Sequence, residues 1–261
     1  MAALRLERDG PVARVTLARP GVRNAFNAEM IADLHEAFAS LAAEPPDALR
    51  AVVLAGEGKV FSAGADIAWQ RAAMQLSQEE NRADAARLQD MLGAIDNCPV
   101  PVVARVQGAA LGGGMGLCAV ADVVVAAADA RFGFTEAKLG ILPAIISPFV
   151  LARIGEGQAR ALFMTGERFD AERARSIGLV HEVVTDEAAL DARVDSLVAE
   201  LLSSGPTAVR AAKALIRSRR GMAEADFAAH ALDVASRQRV SPEGQEGLGA
   251  FLEKQNPSWR D

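Results

Sequence analysis

Phe61-Ser62-Ala63-Gly64-Ala65-Asp66-Ile67 and Ala110-Leu111-Gly112-Gly113-Gly114-Met115-Gly116 decide how this chain is read. Each sets glycine among small residues, so a backbone N–H can approach a ligand that a side chain would hold off. Ala65 and Gly113 are 48 positions apart, and Glu136 follows Gly113 by 23. Two amide donors and one carboxyl group are a minimal set for holding an enolate and exchanging a proton with it.

Working outward, the flanks of both stretches predict strands alternating with helices. Leu4–Glu7 and Val12–Leu17 alternate apolar and polar residues around Asp9-Gly10, a hairpin signal. Residues 28–42 carry helical spacing (Met30, Ile31, Leu34, Phe38, Leu41), with Asn27 as the N-cap. Buried strands are expected at 51–55, 101–106 and 122–126, and helices at 80–95 and 114–120. That alternation places the chain in the α/β class, built from repeated β-β-α units. After residue 186 only helices are expected, over 188–202, 208–219, 223–236 and 243–254, punctuated by Gly205-Pro206 and Ser241-Pro242. The expected organisation is therefore a body over 1–186 and a helical cap or oligomer interface over 187–261.

Composition removes several classes. The chain has 261 residues, 51% of them hydrophobic, enough for a large core. Its 28 basic and 34 acidic residues contain no basic run, so nucleic-acid binding has no electrostatic footprint. Cys98 and Cys118 sit in apolar surroundings and read as core fillers rather than a disulfide. His35, His181 and His230 are isolated, and no metal-ligand spacing occurs. No Tyr is present, which excludes any mechanism that needs a phenol. The N-terminus has no apolar leader and no run approaches a membrane span, so a cytoplasmic location is expected.

Four elements in order carry a resemblance: Asn24-Ala25-Phe26-Asn27, then 61–67, then Gln107–Gly114, then Arg131–Gly140 around Glu136. Together they resemble the crotonase (enoyl-CoA hydratase/isomerase) superfamily, from Leu4 to Trp259. The resemblance implies a spiral of β-β-α turns, C-terminal helices that trimerise, and an acyl-CoA thioester as substrate, with coenzyme A entering as part of that substrate and no other cofactor. It also implies an oxyanion hole at the N–H groups of Ala65 and Gly113 and a proton-exchanging Glu136. Helix-start N–H groups around Gly112–Gly114 suit that role, being unpaired and at the positive end of the dipole. Tight helix–strand packing is the alternative use of those glycines. An exposed glutamate facing Lys138 is the alternative for Glu136. Its neighbours Phe132, Phe134, Leu139 and Ile141 read as an apolar surround that raises its pKa.

The chain departs from the two-glutamate hydratases at Gly116, where those carry a second glutamate. Ala65–Trp69, Glu79-Glu80-Asn81 and Lys138–Pro148 resemble the bacterial 3-methylglutaconyl-CoA hydratases. Their substrates carry a distal carboxylate, for which Arg71 is the candidate partner, with a solvated surface role as the alternative. The CoA moiety is expected along Arg23, Ala25 and the backbone from Ala63 through Asp66, Ile67 and Ala68. Ala68 stands where many members have lysine. Phe251 and Lys254 match a C-terminal pair reaching a neighbouring subunit's CoA, or else end a helix. The expected partners are thus the acyl-CoA and a homotrimer or dimer of trimers. Three activities follow: hydration of a 2-enoyl-CoA, 3,2-enoyl isomerisation, or a non-catalytic scaffold. Some relatives of the hydratases bind RNA, and the acidic balance argues against that here.

Overall fold

The computed structural model describes residues 3–260; Met1 and Ala2, which open the N-terminal stretch read above, and Asp261 lie outside them. β1 (Leu4–Asp9) and β2 (Val12–Leu17) form the expected hairpin, closing at Asp9↔Val12. From β2 onward the main sheet is parallel, through β3 (Ala51–Gly56), β4 (Val102–Val106), β6 (Val123–Ala127) and β9 (Glu182–Val184). A second sheet combines β5 (Ala109–Leu111), β7 (Arg131–Gly133) and β8 (Arg168–Asp170).

Strand alternation divides the main sheet's side chains between two cores. Val52, Leu54, Val102, Ala104, Val106, Val124 and Ala126 point into the larger one. There they meet α1 (Ala28–Ala42) and α3 (Gln78–Asp96), which bring Phe38, Leu41, Met91, Leu92 and Ile95. Val53, Val103, Val125 and Ala127 point the other way, onto Leu190 and Val194 of α7 (Glu187–Leu202). Arg105 lies on that second face, 9% exposed, with its Nε 2.5 Å from Asp191 of α7. So α7, although beyond residue 186, covers a face of the sheet.

Asn27 caps α1 as expected, accepting from Met30 N–H at 3.0 Å. The structure adds elements the periodicity did not reveal: α2 (Ile67–Ala73), α5 (Ser147–Thr165) and α6 (Ala171–Ser176). The last helices, α8 (Pro206–Ser218), α9 (Glu224–Val240) and α10 (Pro242–Glu253), pack on one another. Lys213 of α8 joins them to the body, donating to Val100 C=O and Asp122. Cys98 and Cys118 are buried and unpaired, and burial pushes the Cys118 thiol up to about 12. No described helix is long and apolar enough to cross a membrane.

Candidate active site

The ribbon after β3 is held on both sides. Phe61 and Ser62 donate N–H groups to Gln107 and Ala109 (3.0 and 3.1 Å), and Leu111 donates to Ser62 C=O (3.0 Å). On the other side Ala63 donates to Arg23 C=O, Phe26 to Gly64 C=O and Asp66 to Phe26 C=O, at 2.7–2.9 Å. Ser62 Oγ adds a bond to Asn24 C=O at 2.9 Å. With its neighbours so paired, the N–H of Ala65 has no acceptor among the described residues.

Gly64 makes the next approach possible. Its φ is +88°, and a Cβ there would fall 2.8 Å from Leu111 C=O and 3.2 Å from the amide nitrogen of Gly113. That nitrogen opens α4 (Gly113–Val120), one residue earlier than expected. First-turn N–H groups have no intrahelical partner, and among the described residues Gly113 N–H has no other acceptor. Gly113 also lies under the Phe26 ring, where a Cβ would come within 2.7 Å of Cε2. The two free amides thus sit in adjoining segments at the positive end of a helix.

The second sheet delivers the carboxyl group. β7 pairs with β5, Leu111 opposite Gly133, and Gly112 N–H donates to Gly133 C=O at 2.9 Å. Three residues later, in a 3-10 turn over Thr135–Leu139, Glu136 turns back toward α4. A Cβ on Gly112 would lie 3.4 Å from Glu136 Oε1. Glu136 Oε2 is buried with no hydrogen-bond partner. Burial raises the Glu136 pKa, outweighing the opposing pull of its own backbone N–H. Phe132 and Phe134 supply the buried apolar surround, Phe134 packing edge-on against Phe163 of α5 at 4.8 Å. Leu139 and Ile141, expected in that surround, instead face outward, 64% and 51% exposed. Leu139 ends the 3-10 turn and Ile141 lies in the loop beyond it, which leaves the core. Lys138 makes no ion pair with Glu136 among the described residues; its stem packs on Gly166.

A half-buried carboxyl with one oxygen unpaired, beside two free amides, can exchange a proton with a carbon whose neighbouring oxygen the amides hold. A family model described as enoyl-CoA hydratase/isomerase matches residues 7–261. The chain belongs to that family. Its relatives include a putative enoyl-CoA hydratase of Thermus thermophilus, 36% identical over 95% of this chain and 97% of that protein. Another is the crotonyl-CoA hydratase of Syntrophomonas wolfei, 34% identical over 97% and 96%. Among solved structures, Pseudomonas aeruginosa AtuE superposes with TM-score 0.95 at 38% identity, covering 99% of this chain and 100% of that one. An enoyl-CoA hydratase of Shewanella pealeana gives 0.92 at 36%, covering 98% and 96%. The crotonase fold is thereby shown.

The other expected residues of this family member divide into groups. Ala25 is buried, Ala63 and Trp69 are half-buried, and Arg23, Ile67, Ala68 and Arg71 are exposed around the ribbon and α2. Asp66 caps α2, accepting from Ala68 N–H at 2.8 Å, and pairs with Arg19 at 2.9 Å. Burial alone would raise its pKa, but the bonds from Ala68, Arg19 and Trp69 prevail and hold it below its ordinary value. Its carboxylate therefore fastens α2 beside Ala65. Phe251, 79% exposed, and Lys254 end α10, whose packing partners are α8 and α9.

Two positioning roles escaped the sequence reading: that of Arg19, and the side-chain role of Asn24, which enters that reading only as part of the Asn24–Asn27 element and the CoA-lining backbone. Arg19 reaches both Asp66 and Ala25 C=O. Asn24, fully buried in a left-handed conformation (φ 53°), donates to Glu57 and Val60 C=O and accepts from Arg19 N–H. Asn before Ala25-Phe26 was a readable signal, since Asn tolerates that conformation; Arg19 carried none.

Proposed function

We propose that the chain hydrates a 2-enoyl-CoA, adding water across the 2,3-double bond. The observation that carries this is the convergence of two unpaired amides, Ala65 and Gly113, with the Glu136 carboxyl, whose Oε2 is buried and unpaired. The thioester oxygen would accept both N–H groups. As water attacks C3, charge builds on that oxygen, where preorganised donors stabilise it more than in the ground state. Glu136 takes a proton from the attacking water and delivers one to C2, so water's hydroxyl ends on C3 and its proton is balanced at C2.

Coenzyme A would run along Arg23, Ala25 and the 63–68 backbone. For the acyl end we favour a substrate of the 3-methylglutaconyl type. Arg71 supports this: it is exposed, has no partner among the described residues, and stands on the helix that Asp66 anchors. A homotrimer or dimer of trimers is part of the same proposal. Exposed Leu232, Val240, Leu248, Phe251 and Leu252 on α9 and α10 are apolar area a partner could cover.

One observation favours isomerisation as a second reading. A Cβ on Gly116 would meet Ile146 and Leu92 rather than a polar group. Glu136 alone would then carry a proton from C2 to C4 of a 3-enoyl-CoA. Assay of crotonyl-CoA, 3-methylglutaconyl-CoA and a 3-enoyl-CoA decides between them. Water gain on a 2-enoyl substrate supports hydration; turnover of the 3-enoyl substrate alone supports the second reading; turnover of none refutes both.

A further inference from the structure

Gly116 is one turn along α4 from Gly113, and the space beside it is already filled. A Cβ there would lie 2.6 Å from Ile146 Cγ2, 3.3 Å from Ile146 Cβ and 3.4 Å from Leu92 Cδ1. Ile146 is 3% exposed, so its side chain is fixed by packing rather than free to swing into solvent. It also ends the segment that begins at Glu136. That segment leaves the 3-10 turn at Gly140 and reaches Ile146, the residue preceding α5. Its two ends lie against the same helix: the carboxyl of Glu136 against Gly112 and the branch methyl of Ile146 against Gly116. Four residues at the helical rise separate these contacts by about 6 Å along the axis, the scale of a few carbon–carbon bonds.

We propose that Ile146 is a specificity-determining residue: its Cγ2 methyl occupies the place a side chain on residue 116 would take, giving the site an apolar wall one turn from the Glu136 carboxyl. This rests on the acyl-CoA reading above. With the α-carbon held at Glu136, the wall meets the carbons just beyond it. It admits hydrocarbon of limited size there and offers no hydrogen bond to a second acid or an ordered water. The absent second carboxylate is thus one part of a packed pair, Gly116 with Ile146. Restoring an acid at 116 alone would drive its Cβ into Ile146.

The choice of atom makes the proposal testable. Ile146→Val keeps Cγ2 and removes only the terminal methyl. Ile146→Ala removes Cγ2, and so does Ile146→Leu, which keeps the volume and guards against a variant that fails to fold. The measured quantity is the ratio of kcat/KM for a longer-chain 2-enoyl-CoA to that for crotonyl-CoA. A missing carbon in an apolar wall changes such ratios by about tenfold or more. We expect Ile146→Ala to raise the ratio by about tenfold, Ile146→Leu to shift it by several-fold, and Ile146→Val to move it by no more than about twofold. An unchanged ratio in the folded Ala and Leu variants, or a Val shift as large as the Ala shift, overturns the proposal. If wild type turns over neither thioester, the acyl-CoA reading itself has failed, which the wild-type measurement reports separately.

Discussion

Glu136→Gln removes the titratable acid–base group and almost no volume. In the structure the carboxyl has no side-chain partner: Oε2 is buried and unpaired, and Oε1 faces Gly112. Its one bond, from Glu136's own backbone N–H, can be accepted equally by the amide oxygen of Gln, and the Ala65 and Gly113 amides, being backbone, remain. The loss should fall on proton transfer alone, about 10²–10⁴-fold in kcat, or about 3–5 kcal/mol in the barrier. KM should hardly move. Burial raises the Glu136 pKa, and the ionised form is the one that accepts a proton from water. Activity should therefore fall as pH drops through that raised value, at higher pH than a solvated glutamate would give, and the limb should vanish in the variant. The stability sign is opposite to the usual carboxylate case. A raised folded pKa means the native state binds the proton more tightly. Glu136 therefore costs stability as pH rises from the unfolded to the folded value, and the cost persists above it. Glu136→Gln should melt at higher temperature than wild type at neutral pH. Steady-state kinetics across pH with a thermal melt checks all three; a folded variant retaining more than about half of wild-type kcat refutes the acid–base assignment.

Gly113→Pro deletes one of the two free amides and should lower kcat by at least about 10²-fold, with circular dichroism confirming a fold; a folded, fully active variant rules out the hole. Asp66→Ala removes the α2 cap and leaves Arg19 without its partner, and should cost about 1 kcal/mol or somewhat more in urea unfolding while raising KM more than it lowers kcat; an unchanged KM would separate α2 from thioester binding. Arg71→Ala should raise KM for 3-methylglutaconyl-CoA by about tenfold or more and barely change that for crotonyl-CoA; equal effects on both would place Arg71 on the CoA moiety or the loop. Light scattering should show a trimer or hexamer at micromolar concentration, and a stable monomer would remove the cross-subunit role of Phe251 and Lys254.

What could be read from sequence was set by range. The hairpin and α1 follow from local alternation, helical spacing and the Asn27 cap, and they stand where expected. α5 was hidden because Gly155, at φ 73°, interrupts its helical backbone, and because Pro148 and Gly157 weaken its helical pattern. β5, β7 and β8, three residues each, are too short for any period, although β7 carries Glu136 to α4. In the site, the two glycine stretches were legible because glycine marks close backbone approach. The outward turn of Leu139 and Ile141 was not, since an apolar residue in a loop has no local signature of direction. The pairing of Arg19 with Asp66, 47 positions away, and of Gly116 with Ile146 depends on tertiary packing, which no local pattern encodes.

Hydration of crotonyl-CoA in deuterium oxide tests the central claim most directly. One carboxyl group fixed beside Gly112 can serve only one face of the α-carbon. Wild type should yield a 3-hydroxyacyl-CoA with a single deuterium at C2 in one configuration, and Glu136→Gln should yield almost none. No product from wild type, deuterium distributed over both C2 configurations, or undiminished labelling by Glu136→Gln would contradict the account.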